Sequence, residues 1–156
     1  GGHTAFNCPF NEGEAFSDYD LIFNQLETNP VYQPVLPELD GLMYRENVKE
    51  EYMNCDRIAL NYDIFKSDAL VFSKINSDTI SLINRNTQKG LAFQIKGFHS
   101  MAVWTPIFGG APFLCLEPWS VLPDYSDADR EFAKKPNITK LEVGGEIEFS
   151  YTMTEQ

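Results

Sequence analysis

Basic residues are scarce in this sequence. Twelve lysines and arginines face 23 aspartates and glutamates, giving a formal net charge of −11. A surface of that sign repels phosphate backbones and anionic lipid heads, so neither nucleic acid nor a membrane surface is an expected partner. A neutral or cationic ligand suits it better. Long apolar runs are also lacking, and no stretch is long enough to cross a bilayer. Cysteine is sparse: Cys8, Cys55 and Cys115 are odd in number, widely spaced and without a C-x-x-C pair. That pattern argues against a disulfide framework or a zinc site, and no metal ligand set is expected from it. A reducing, cytoplasmic setting is the simplest reading. Gly1-Gly2-His3-Thr4 has neither the basic start nor the apolar core of a signal peptide. With no internal repeat, low-complexity run or linker, residues 1–156 read as a single domain.

What the sequence has is a core composition rich in strand formers. Apolar residues make up 43% and aromatics 13%, the latter mostly Phe and Tyr. Short apolar or alternating segments recur between turn signals. Leu21-Ile22-Phe23 follows an acidic turn, and residues 28–41, with three prolines, read as a loop or irregular edge. Leu42-Met43-Tyr44 reads as a further strand. Residues 69–72, 79–83, 91–96, 101–105 and 113–119 follow as strands, with 84–90 as a hairpin loop, Gly109 to Pro112 as a turn, and 141–152 as the final strand region. One helix is expected. Ser126 would cap it, acids fill its first turn, Lys134 and Lys135 supply positive charge at its end, and Pro136 stops it. Strands at intervals of roughly 8–12 residues predict an all-β, antiparallel sandwich with one short helix.

The segment Phe113 to Trp119 is almost wholly apolar but for one carboxylate. In a strand, Cys115, Glu117 and Trp119 share one face. A carboxylate there costs several kcal/mol if buried unpaired, so it is either paired or opens onto a polar hollow. Desolvation would raise its pKa toward that of a working general base. The plain alternative, a surface Glu at a strand end, stands beside this on residue chemistry alone. Asp124, Asp127 and Asp129 miss the spacing of a calcium loop and suit turn and helix-start roles. His99 after Gly97-Phe98 reads as a surface or turn histidine.

Residues 111–119, Ala-Pro-Phe-Leu-Cys-Leu-Glu-Pro-Trp, resemble the strand that bears the catalytic glutamate in the aldose 1-epimerase (mutarotase) family, and Trp119 after the proline resembles its LacX-like bacterial branch. Gly2-His3-Thr4-Ala5-Phe6-Asn7 is similar to the segment around the family's catalytic histidine, although the branch has Pro where this chain has Thr4. Phe65 through Asp68-Ala69-Leu70 resembles a short acidic motif between the two. Residues 101–105 and 141–151 also follow the branch pattern. The resemblance implies a galactose mutarotase-like supersandwich, of which this chain is the C-terminal, catalytic half. It implies Glu117 as base, His3 as acid and Asp68 as a substrate-binding residue, while ring chemistry makes Trp119 and Trp104 candidates either to bind substrate by stacking on a sugar ring or to fill the core, Trp119 first because it shares a strand face with Glu117. The activity implied is interconversion of the α and β anomers of a free hexose by ring opening, with no cofactor. Lacking a basic cluster, the chain is not expected to favour a phosphorylated sugar. Two other readings stay open: a carbohydrate-binding module without turnover, and a structural half. The half would associate with itself or pair with a missing N-terminal half through open sheet edges.

Overall fold

The computed structural model describes residues 1–34, 41–106 and 110–156. Ten strands form two five-stranded antiparallel sheets. They are β1 (Thr4–Asn7), β2 (Tyr19–Glu27), β3 (Val31–Tyr32), β4 (Cys55–Ala59), β5 (Leu70–Phe72), β6 (Thr79–Asn84), β7 (Gly90–Lys96), β8 (Ser100–Trp104), β9 (Phe113–Trp119) and β10 (Ser150–Glu155). The first sheet runs β1-β9-β8-β5-β3 and the second β10-β7-β6-β2-β4. This is the all-β architecture expected from the pattern.

Alternation along the strands sorts side chains between the two faces of the first sheet. Phe6, Leu70, Phe72, Met101, Val103, Leu114 and Leu116 point inward. There they pack with Tyr19, Leu21, Phe23, Ile80, Leu82 and Phe93 of the second sheet. Each fully buried aliphatic or aromatic side chain in this layer contributes about 1.5–3 kcal/mol. The hairpin joining β6 to β7 depends on a close approach. A Cβ at Gly90 would overlap the Leu82 carbonyl oxygen, so only glycine fits opposite Ile83.

The first sheet also has a buried outer face. Val71, Ala102, Trp104 and Trp119 lie there, covered by Met43 and Leu122 in a second, smaller apolar cluster. Leu42-Met43-Tyr44 adds no strand; Met43 makes one isolated parallel bridge to Tyr125, and its burial comes from this cover. The outer cover matters because it walls the cavity described below.

Two further expectations differ from the structure. The helix expected at 126–135 is absent, and only a 3₁₀ turn forms at Phe132–Lys134. Arg130 takes a left-handed backbone (φ 61°), which interrupts any helix. The acids expected in its first turn are engaged elsewhere: Asp127 pairs with Arg45, and Asp129 accepts from the Glu131 N–H and from Lys134. The final strand is shorter than expected, because β7 offers partners only to Ser150–Glu155, and 141–149 stay outside the sheet. The segment at 46–52 closes as a 3₁₀ turn, Glu50–Tyr52. Part of the 28–41 loop and Gly109 of the 109–112 turn lie outside the described residues.

Candidate active site

Strand register builds the site. β1 pairs with β9 so that Thr4 opposes Leu116 and Ala5 opposes Cys115. One step before Thr4, His3 therefore falls beside Glu117 on the outer face. On the other side of β9, Glu117 opposes Ala102 and Cys115 opposes Trp104. The small Ala102 leaves space where a larger residue would fill the face. Gly2 continues the ladder by donating its N–H to the Pro118 carbonyl at 3.0 Å, which holds the chain ahead of β1 against β9.

His3 Nε2 lies 3.3 Å from Glu117 Oε1, with the imidazole side chain 61% exposed and the carboxylate side chain 7% exposed. Among the described residues, His3 is the one ion-pair partner of this buried carboxylate. Burial pushes the Glu117 carboxyl above the usual carboxylate range. His3 and a hydrogen bond from the Trp119 indole N–H pull it back down, and the negative charge of Asp68 pushes it further up. A carboxyl that is desolvated yet touches an imidazole is the arrangement proton transfer requires.

The pair opens onto a cavity of about 530 Å³. Its walls are Gly1, Gly2, His3, Glu117 and Trp119 on one side, with residues 120–123 and Lys135 on the other. That volume lies within the range that small-molecule sites occupy. Lys135 Nζ is 3.0 Å from Asp124 Oδ1, so the ammonium on the far wall has its charge matched locally.

The residues singled out from sequence are not all placed alike. His3, Glu117 and Trp119 share the cavity wall. Trp104 stands one row away and meets the His3 ring edge-on, with centroids 5.8 Å apart. Asp68 sits in the turn ahead of β5 with a left-handed backbone (φ 85°). It acts on Glu117 through charge and does not line the cavity. His99 is exposed between β7 and β8 and does not line the cavity. Lys135 and the wall at 120–123 were not singled out from sequence; a lysine before a proline read as a helix end.

Cys115 adds a feature that the cysteine spacing had hidden. His3, Cys115 and Glu117 each bring one ligand atom within 4.8 Å of the others, a set able to hold a metal ion. The Cys115 thiol is buried, and burial with the nearby Glu117 charge pushes its pKa up to about 11.

No protein-family model matches the chain. Two curated relatives from Lactococcus lactis subsp. lactis, the plasmid and chromosomal LacX proteins, are each 32% identical over 141 residues. Those alignments take in 90% of this chain and 46% of each relative, so the chain spans about half their length. Among solved structures, a galactose mutarotase related enzyme from Lactobacillus acidophilus superimposes with a TM-score of 0.79 at 22% identity. It matches 99% of this chain and 50% of its own. A galactose mutarotase-like protein from Lactobacillus casei gives 0.74 at 20% identity, over 98% and 50%. At these identities the solved structures establish a shared fold.

Proposed function

From a chain that is a relative of the LacX proteins and carries the galactose mutarotase-like fold, we infer an acid–base site that interconverts the α and β anomers of a free hexose. The observation that carries this reading is the imidazole of His3 in contact, at 3.3 Å, with a buried carboxylate on the wall of a sugar-sized cavity. Mutarotation asks for a base at one end of a hemiacetal and an acid at the other, and for nothing else. Glu117, ionised, takes the proton of the anomeric hydroxyl. His3, protonated, gives one to the ring oxygen as the C1–O5 bond breaks. The open aldehyde turns about C1–C2, O5 adds to the other face, and the two protons return. In the empty site acid and base touch, so a sugar must part them. The largely exposed His3 ring has room to move aside, while Glu117 is held in its strand.

Trp119 serves two ends in this scheme. Its indole N–H favours the charged carboxylate, and its ring offers an apolar surface to the sugar's C–H face. Trp104 positions the His3 ring through its edge. Asp68 keeps the base strong by repulsion. With Lys135 neutralised by Asp124, the far wall adds no excess positive charge, which suits a neutral sugar over a phosphorylated one. The chain acts as one domain, corresponding to the C-terminal half of a longer sandwich.

A second reading has its own observation. All six residues of β10 are exposed, Tyr151 and Met153 among them, and the chain spans half of its relatives. A half that pairs with a companion through the β1 and β10 edges fits this, and the cavity then binds sugar in the pair. NMR exchange or polarimetry on α-glucose and α-galactose separates the readings. The 156-residue chain should speed anomer exchange, and Glu117→Gln and His3→Ala should each slow it. Sugar binding without acceleration favours the module or the half, and equal rates in both variants remove the acid–base assignment.

A further inference from the structure

The proposed ring-opening chemistry leaves one buried nucleophilic group of the site unused. Cys115 lies two residues before Glu117 on the same face of β9, beneath the imidazole of His3, and the three donor atoms lie within 4.8 Å of one another. The geometry is more specific than proximity. For a tetrahedral zinc ion with Zn–N and Zn–O bonds of about 2.0–2.1 Å, the N···O edge of the tetrahedron is about 3.3–3.4 Å. The His3 Nε2 to Glu117 Oε1 distance is 3.3 Å. The donors are one sulfur, one imidazole nitrogen and one carboxylate oxygen. That mixture suits zinc and its borderline neighbours and disfavours magnesium or calcium, which take oxygen. Supporting contacts are also in place. The Trp119 indole favours the charged form of Glu117, Trp104 braces the His3 ring, and Asp68 adds negative charge without competing as a ligand.

We propose that His3, Cys115 and Glu117 form a zinc-binding site whose fourth position opens into the cavity. On binding, the Cys115 thiol gives its proton to solvent and its sulfur binds the metal as thiolate. No oxidant or reductant takes part. Zinc seated there occupies the acid and the base of the proposed reaction at once, so it acts as a reversible inhibitor. Metal binding stands on the donor geometry alone; only the inhibition rests on the mutarotase reading.

Cobalt(II), which reports coordination through its visible spectrum, is the probe. Titrating the reduced 156-residue chain should give the intense d–d bands of a tetrahedral ion, together with a near-ultraviolet thiolate-to-cobalt charge-transfer band. Added Zn²⁺ should abolish both at one equivalent. Cys115→Ser should lose the charge-transfer band. His3→Ala changes an exposed side chain outside the core and should weaken Zn²⁺ binding by about tenfold or more. It carries the test should Cys115→Ser not fold. A weak octahedral spectrum would overturn the proposal. So would a charge-transfer band that persists in Cys115→Ser and thereby belongs to Cys8 or Cys55, or a Zn²⁺ affinity unchanged in His3→Ala. Anomer exchange unaffected by saturating Zn²⁺, with the spectrum as expected, would count against the mutarotase reading and leave the metal site standing.

Discussion

The two sheets of this molecule each bury carboxylates, and they treat them in opposite ways. On the outer face of the second sheet, Asp20 is bracketed by Arg57, at 2.8 Å, and by Arg85. At the end of β2, Glu27 accepts the backbone N–H groups of Asn76 and Ser77 at 2.8 and 2.9 Å. Glu117, on the outer face of the first sheet, has neither a guanidinium nor a pair of amides. It has an imidazole, one indole N–H and the repulsion of Asp68. Burial costs a charge several kcal/mol unless partners offset it. Where the offset is complete the carboxylate is a structural part; where it is incomplete the group stays reactive. Incomplete compensation therefore marks the site more sharply than burial does.

The contrast can be broken experimentally. Glu117→Gln should give the largest effect, slowing anomer exchange by about 10²–10⁴-fold while leaving the protein as stable as before, or more so, near neutral pH. The sign follows from the raised Glu117 pKa. A carboxyl whose folded pKa exceeds its unfolded value stabilises the fold only while protonated, and loses that contribution as pH rises through the folded value. Removing its charge at neutral pH therefore relieves a penalty, which urea titration would register as an unchanged or higher midpoint. A large loss of stability would place Glu117 with the structural carboxylates. His3→Ala should slow exchange to a smaller extent within the same range, because solvent can supply part of the proton transfer at an exposed position.

The carboxylates of the second sheet should behave in reverse. Glu27→Ala orphans two backbone amides and should cost about 2 kcal/mol or more in urea unfolding, with exchange per folded molecule unchanged. Asp20→Asn should cost less, about 1 kcal/mol, because Arg57 and Arg85 are 57% and 41% exposed and can turn to water. The smallest effect sharpens the account of Glu117. Trp119→Phe keeps a ring but removes the indole N–H that lowers the Glu117 pKa. The acidic limb of the pH–rate profile should then move to higher pH, and a limb that stays put would show that the hydrogen bond does not tune the base.

Much of the fold was legible because alternation is a local signal. The strands at 79–84, 90–96, 100–104 and 113–119 follow from residues within each segment. The candidate site was partly legible for the same reason, since a carboxylate in Phe-Leu-Cys-Leu-Glu-Pro-Trp is conspicuous wherever the strand lands. Pairing of His3 with Glu117 came from family resemblance; the physics behind it is the register of β1 on β9, which no spacing along the chain encodes. The missing helix at 126–135 failed for a related reason. Its first-turn acids found partners in Arg45 and Lys134, and only the Lys134 contact is local in sequence. The metal-capable trio combines a near pair with a residue more than a hundred positions away, so cysteine spacing alone pointed away from it.

The strand that presents His3 has only four residues and, among the described residues, pairs on one side alone, with β9. Short strands paired along one edge open with less free energy than the sandwich as a whole. Opening of this edge ribbon would leave the sandwich folded while withdrawing the imidazole, so the competent fraction is expected to follow the ribbon's local opening equilibrium. Amide hydrogen exchange at Thr4 to Asn7 measures that fraction directly, and ligands that clip the ribbon down would raise it without touching the rest of the fold.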